Sequence, residues 1–247
     1  MIVAVIPVRL ESSRLPQKAI REIEGLPMII HTMKRTQLAS SLDDVFIATD
    51  NTIISELVKK HGGKVIMTRK DHETGSDRIA EAAEKINAEI IVNVQGDEPL
   101  VMPEHIDAGV NSIKDSEIPV SILLTKFQKK DSPSDIKAVT NKKNEILYLS
   151  RSDIPSTSRE NHTDFLKAYH VVSFKKEFLI KYSKLPRSQL ERIEFNEYLR
   201  ILENGHKIQG VIVNSHAISV DTAEDLEYVK KLMLEDKLKY KYLKTQL

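Results

Sequence analysis

Short apolar runs alternate with helical patterns along the first hundred residues. Residues 2–6, 45–49, 65–68 and 90–94 are β-rich and of strand length. Between them, residues 27–39, 53–61 and 76–86 carry apolar side chains at three-to-four spacing. Gly62-Gly63 after Lys59-Lys60 reads as a helix stop. This alternation predicts βαβ units and a parallel sheet with right-handed crossovers covering both faces. A helix from Pro103 to about Ile113 and a strand over 120–124 follow, then a polar loop at 128–135 containing Pro133. The rhythm changes there. Residues 136–139 and 146–149 predict a hairpin around 141–144, and 156–163 form a polar segment. A strand near 171–174, helices around 175–183 and 191–203, a strand at 208–213 and a last helix opening at Thr222 complete the pattern. With no internal repeat and no separating linker, the expected fold is α/β: a Rossmann-like three-layer sandwich over 1–247, with a mostly parallel central sheet. A small α/β subdomain is expected as an insertion at approximately 128–190.

Composition narrows the chemistry. The 247 residues include no cysteine, which excludes disulfides, thiolate catalysis and Cys-type zinc sites. Lys and Arg total 37 against 36 Asp and Glu, so the near-neutral balance offers no electrostatic reason to bind nucleic acid or a membrane. No apolar run reaches the length of a membrane span. The N-terminus shows no basic leader or cleavage site, so a cytoplasmic location is expected. The basic run at 237–244 reads as a solvated helix end.

The first strand leads straight into Pro7-Val8-Arg9-Leu10-Glu11-Ser12-Ser13-Arg14-Leu15-Pro16-Gln17-Lys18. A loop at the carboxyl end of a parallel strand is where open α/β sheets bind ligands. Two arginines, a lysine and two serines there suit a triphosphate: guanidinium forks and an ammonium match phosphate oxygens, and hydroxyls complete the shell. Composition alone allows a solvated basic loop equally well. Neither GxxxxGK[ST] nor GxGxxG occurs in the chain. Asp97 follows the buried run 90–94 and should project into the same crevice, and Asp221 before the final helix could return to that edge. Two carboxylates suit a nucleotide-bound Mg²⁺, which takes one or two carboxylates plus phosphate and water. The alternatives are a turn residue before Pro99 for Asp97 and helix N-capping for Asp221.

The order of these residues adds a resemblance. Pro-x-Arg-x-x-Ser-x-Arg-Leu-Pro-x-Lys is similar to the nucleotide loop of the 3-deoxy-manno-octulosonate (Kdo) cytidylyltransferases. Further matching segments run through most of the chain in order: Gly25-Leu26-Pro27-Met28-Ile29, Ala48-Thr49-Asp50, Met67-Thr68-Arg69 and Thr74-Gly75-Ser76-Asp77-Arg78. They continue with Val92-Asn93-Val94-Gln95-Gly96-Asp97-Glu98-Pro99, Leu147-Tyr148-x-Ser150-Arg151-x-x-Ile154-Pro155 and Val220-Asp221-Thr222-x-Glu224-Asp225-Leu226. The Gln95–Pro99 segment is the most specific.

The resemblance implies an enzyme that joins CTP to a sugar acid with Mg²⁺, working as a homodimer built through the inserted subdomain. It implies Lys18, Asp97 and Arg14 as catalytic residues and Asp97 and Asp221 as metal ligands. Pro7, Arg9, Ser13, Arg14, Lys18, Thr74, Ser76, Arg78 and Gln95 are the nucleotide-side residues, Ser76 and Asp77 having helix capping as their alternative. Gln95, Arg151, His170, Glu191, Glu194 and Tyr198 are the sugar-side set. Lys137 and Arg159 are further partners for the sugar's carboxylate, with Arg151 preferred.

The sugar half departs from the family's pattern. Ala168 stands where the family has His, His170 where it has Gly, Val172 where it has Tyr, and Tyr198 where it has Gln. A site that loses hydroxyl-binding groups discriminates differently, so the acceptor is Kdo or a modified Kdo-like acid. His170 alternatively lies in the core, and Glu191 and Glu194 on a helix surface. A metal-dependent glycosyltransferase would need an Asp-x-Asp pair, which Asp97-Glu98-Pro99 replaces poorly. A silent nucleotide-binding protein would be expected to lack Lys18, Asp97 or Asp221.

Overall fold

A computed structural model of the chain describes residues 1–12, 14–159, 164–214 and 218–243. Strand β1 (Ile2–Val8) is followed by a two-rung hairpin, β2 (Glu22–Ile23) and β3 (Leu26–Pro27). Then come α1 (Met28–Thr36), β4 (Asp44–Thr49), α2 (Thr52–Lys60), β5 (Lys64–Met67), α3 (Gly75–Glu84), β6 (Ile90–Val94) and α4 (Pro103–Lys114). The second half holds β7 (Val120–Phe127), β8 (Lys137–Thr140), β9 (Ile146–Ser150) and β10 (Phe165–Lys175). It closes with α5 (Lys176–Ser183), α6 (Gln189–Glu194), α7 (Leu199–Glu203), β11 (Gln209–Ile212), α8 (Ala223–Glu235) and α9 (Tyr240–Leu243).

The main sheet runs in the order β11-β7-β10-β6-β1-β4-β5. Neighbours among β6, β1, β4 and β5 are parallel, as the βαβ alternation requires, and β11 is parallel to β7. Strand β10 runs antiparallel between β6 and β7. The hairpin β8–β9 joins the sheet through β8, whose Ala138 pairs with Leu166 of β10. Strand β1 shows why both faces are covered. Val3 and Val5 enter one apolar cluster with α3 and α5, while Ala4, Ile6 and Val8 enter the other with α1, α2 and α4.

Sequence and structure part company in three places. Strand β10 extends N-terminally beyond the expected 171–174, because residues 165–169 pair with β7 and bury Phe165, Ala168 and Tyr169. The helix expected over 191–203 is broken in two by Phe195, whose backbone is left-handed at φ 49°. That conformation costs a non-glycine residue roughly 1–2 kcal/mol. The described part of the basic tail is not solvated throughout. Lys239 is buried, its ammonium 3.1 Å from Glu24, and Tyr242 packs its hydroxyl 2.9 Å from His31 Nδ1.

The C-terminal segment is also held by a buried ion pair. The Arg35 guanidinium, 1% exposed, bonds Asp236 at 2.5 Å and the carbonyls of Leu100 and Val101. Removing the carboxylate leaves an uncompensated buried charge, so Asp236→Ala should lower the free energy of unfolding by about 3 kcal/mol. Urea denaturation measures this; a loss below ~1 kcal/mol would show that the pair does not anchor the tail.

Candidate active site

The site is built where β1 and β6 end side by side. Gly96 follows β6 directly beneath the end of β1. A Cβ there would lie 3.2 Å from the Pro7 carbonyl and 3.1 Å from Val8 Cγ2, so any side chain at this position would push the two strand ends apart by a few tenths of an ångström. The loop after β1 turns at Gln17, left-handed at φ 55°, and Lys18 opens a short 3-10 turn. Its ammonium points back at the β6 end, 2.6 Å from Asp97 Oδ2. A backbone bond from Val220 N–H to the Asp97 carbonyl (2.9 Å) pins the chain before α8 to the same spot. Asp221 thereby comes within 3.2 Å of Lys18 Nζ and 2.9 Å of Arg14 Nη2.

The capping alternative for Asp221 does not hold. Thr222 is the α8 N-cap, closing a reciprocal box with Asp225, and the Asp221 carboxylate is left to face Lys18 and Arg14. Burial pulls the Lys18 pKa down, but the charges and hydrogen bonds of Asp97 and Asp221 outweigh it and hold the ammonium above its usual value. Beside them a cavity of about 200 Å³ is lined by Pro7, Arg9, Lys18, Met28, Gln95 and Asp97, among others. The Arg9 guanidinium grips the carbonyl of His72, tying this loop to the one before α3.

The donor set fits a magnesium ion. Among the described residues no cluster of three or more His, Asp or Glu side chains converges. Two hard carboxylates do, and a cation, the Lys18 ammonium, already bonds both. Mg²⁺ takes this pattern of one or two protein carboxylates, the remaining ligands being phosphate and water.

Glu98 was not singled out from the sequence. It is buried, one carboxyl oxygen accepts from Ser219 Oγ, and the other has no hydrogen-bond partner among the described residues. Burial, reinforced by the negative charges of Asp97 and Asp221, pushes its pKa up to about 8. The second carboxylate of an Asp-x-Asp pair would fall two residues after Asp97, where Pro99 stands, and Glu98 itself is turned to Ser219.

A second cavity, of about 230 Å³, adjoins the first. Gln95 lines both, so it stands between the two halves of the site. Ile136, Ala168 and Phe195 contribute apolar lining to the second cavity, and Arg151, Asn196, Glu197 and Tyr198 contribute polar lining. Asn93, inside the buried run of β6, donates to the Tyr198 hydroxyl at 3.4 Å and accepts from Gln95 Nε2 at 3.1 Å. A polar residue within an otherwise apolar strand was the available signal for it.

Several sequence candidates are committed to the frame. Thr74 caps α3 in a reciprocal box with Asp77, while Ser76 is wholly buried beside Glu197 and Tyr198. Arg78 is also buried, 3.0 Å from Asp50 and 2.6 Å from Thr68 Oγ1, where it joins the ends of β4 and β5. Three of the five N–H donors of Arg151 go to the carbonyls of Pro133, Glu194 and Phe195. Lys137 gives its ammonium to the carbonyls of Ser132, Asp135 and Arg151. The Glu191 carboxylate forms a two-pronged pair with buried Arg200 (2.5 and 2.7 Å) and closes the α6 capping box with Ser188. Glu194 accepts from Ser150 Oγ and Arg151 N–H, stitching α6 to β9. Arg159 is exposed. Ser13 and the side chain of His170 lie outside what the structure describes.

The geometry is matched by similarity along nearly the whole chain. The family model described as Cytidylyltransferase matches residues 3–208. A 3-deoxy-manno-octulosonate cytidylyltransferase of Syntrophotalea carbinolica is 41% identical over 93% of this chain and 97% of that protein. The enzyme of that name from Escherichia coli is 37% identical over 95% of this chain and 96% of its own length. A solved structure of CMP:2-keto-3-deoxy-manno-octonic acid synthetase complexed with CTP superposes with a TM-score of 0.91 at 37% identity, covering 95% of this chain and 98% of the other. At 20% identity and a TM-score of 0.64, a cytidylyltransferase from Leptospira borgpetersenii shares the fold. With its strand-end loop, its paired aspartates and this likeness over almost its full length, the chain belongs to the 3-deoxy-manno-octulosonate cytidylyltransferase family.

Proposed function

We propose that the protein transfers CMP from CTP to the anomeric hydroxyl of Kdo, releasing pyrophosphate. The reaction is placed in the cytoplasm, as a step toward lipopolysaccharide or another surface polysaccharide. The observation that carries this reading is the meeting of Lys18, Arg14, Asp97 and Asp221 beside one cavity that shares Gln95 with a second. In the relatives this architecture accompanies that reaction by name. No helix among the described residues is long and apolar enough to cross a membrane, which accords with water-soluble substrates.

In the reaction the sugar hydroxyl oxygen bonds to the α-phosphorus while the bond from that phosphorus to the β-phosphate bridging oxygen breaks. Catalysis of this kind needs alignment and charge neutralisation rather than a covalent intermediate. Arg9, Arg14 and Lys18 supply three cations to the triphosphate, and Pro7 and Gly96 form the floor against which it lies. Asp97 and Asp221 would hold Mg²⁺, which when bound neutralises phosphate charge and polarises the reacting oxygens. Asp97 also fixes the Lys18 ammonium toward that floor. Gln95 separates nucleotide from acceptor, and the Gln95, Glu197 and Tyr198 side receives the sugar. A homodimer built through residues 128–190 is part of the same proposal, supported by the exposed apolar Leu147 on β9.

A modified 2-keto-3-deoxy acid is a second reading, favoured by one observation: Ala168 stands in the acceptor wall, where the family's His would otherwise offer a hydrogen bond. A glycosyltransferase is disfavoured because Pro99 stands where the second carboxylate of an Asp-x-Asp pair would lie.

Pyrophosphate release with CTP, measured across Kdo and related sugar acids, should detect turnover with Kdo or a close derivative. Absence of turnover with every acid would sink the proposal. Asp97→Asn should reduce kcat by about 100-fold or more while melting within a few degrees of the unaltered protein. EDTA should abolish turnover and Mg²⁺ restore it; activity retained by Asp97→Asn would remove that residue from the metal site. Glu191→Gln should cost about 3 kcal/mol of stability through the buried Arg200 pair and leave the sugar KM unchanged. A sugar KM raised without loss of stability would instead make Glu191 a substrate contact.

A further inference from the structure

Phe195 is the most exposed large apolar side chain among the described residues, at 80%. It occupies a left-handed backbone position, φ 49°, that bulky residues avoid and that glycine or asparagine fill readily. An aromatic ring that is both exposed and held in an unfavourable conformation adds nothing to the core.

Its position says what it would bind. Phe195 lines the acceptor cavity together with Ile136 and Ala168, and it also lines a separate cavity beside Arg187 and Glu191. The corner is rigid. Arg151 donates from Nε to the Glu194 carbonyl (2.8 Å) and from Nη2 to the Phe195 carbonyl (3.1 Å). Asn196 N–H bonds the Glu191 carbonyl at 3.1 Å, and Asn196 Oδ1 accepts the Tyr198 N–H at 3.2 Å. Arg151 is therefore used to hold the backbone corner that carries Phe195.

We propose that Phe195 is an acceptor-specificity residue, its ring forming an apolar wall against the deoxygenated face of the sugar acid. Arg151 acts as the positioning residue that holds the ring there. This rests on the reading of the protein as a cytidylyltransferase of 2-keto-3-deoxy acids. A sugar lacking the C3 hydroxyl offers a methylene where an ordinary sugar offers a hydroxyl. Ile136, Ala168 and Phe195 form a surface that favours the methylene and strips water from a hydroxyl without giving it a partner. One such group in an apolar pocket is worth 10-fold or more in discrimination.

The test is Phe195→Gly, with pyrophosphate release measured for Kdo and for the analogue carrying a hydroxyl at C3. Glycine relieves the backbone conformation, so the variant should melt at or above the temperature of the unaltered protein. Its KM for Kdo should rise about tenfold with the CTP KM unchanged. Its preference in kcat/KM for the deoxy acid over the hydroxylated one should fall by about tenfold. Arg151→Lys, which keeps the charge but loses the forked grip on the two carbonyls, should shift both readouts in the same direction. An unchanged preference and Kdo KM in a folded Phe195→Gly protein overturn the proposal, as does a fall in melting temperature with CTP and Kdo KM rising together. Failure of the unaltered protein to turn over any 2-keto-3-deoxy acid overturns the parent reading instead, so the two failures are distinct.

Discussion

Lys18 holds two carboxylates that lie more than a hundred residues apart in sequence, and the nucleotide half of the molecule is arranged to make that possible. Two carboxylates facing one crevice repel unless a cation lies between them. The ammonium reaches Asp97 only because β1 and β6 are parallel neighbours whose ends meet over a glycine. It reaches Asp221 only because the Val220 N–H is fastened to the Asp97 carbonyl. Helix α8 is then fixed at both ends, by the Val220–Asp97 backbone bond near the site and by Asp236 on Arg35 at its far end. The tail is thus part of the site's support.

The acceptor half uses charge differently. Lys137, Arg151, Glu191 and Glu194 are the residues whose charge suggests sugar recognition, yet they mostly satisfy backbone groups and one another. Loops and short helices meet there, leaving carbonyls and helix ends without sheet or helix partners. Buried groups of that kind need donors. Arginine, with five donors in a fixed fork, serves several carbonyls at once, as Arg151 does for three separate residues. The other polar side chains lining the cavity are Gln95, Asn196, Glu197 and Tyr198.

The parallel half of the sheet was legible in the sequence because its physics is local. The strand at 90–94 is found at those residues, and the helices after β1, β4 and β5 begin within a residue of their expected starts. The convergence of Asp97 and Asp221 was legible through topology and resemblance together. Asp97 is marked by the specific Gln95–Pro99 segment, whereas Asp221 sits beside a good helix cap and needed its matching segment to stand out. The unread features depend on tertiary contacts. Nothing in the spacing of 191–203 announces the left-handed Phe195, since Arg151, more than forty residues earlier, holds the break in place. Glu98 looks from the sequence like an ordinary acidic neighbour of Asp97. Only its burial against Ser219 separates their roles.

The same distinction explains why the departures from the family's pattern gather in the acceptor half. In the nucleotide half, Lys18, Asp97, Asp221 and Arg14 are bonded to one another, so changing one leaves a partly buried charge without its partner. Ala168 is tied differently. Its N–H bonds the Ile136 carbonyl at 2.8 Å and it pairs with Leu124 across the sheet, both through backbone that any side chain provides. The wall of the acceptor cavity can therefore change residue by residue while the strand that carries it stays in register. A cluster of coupled charges at the strand ends, joined to a cavity wall that at Ala168 is held by backbone alone, lets that position change without disturbing the cluster.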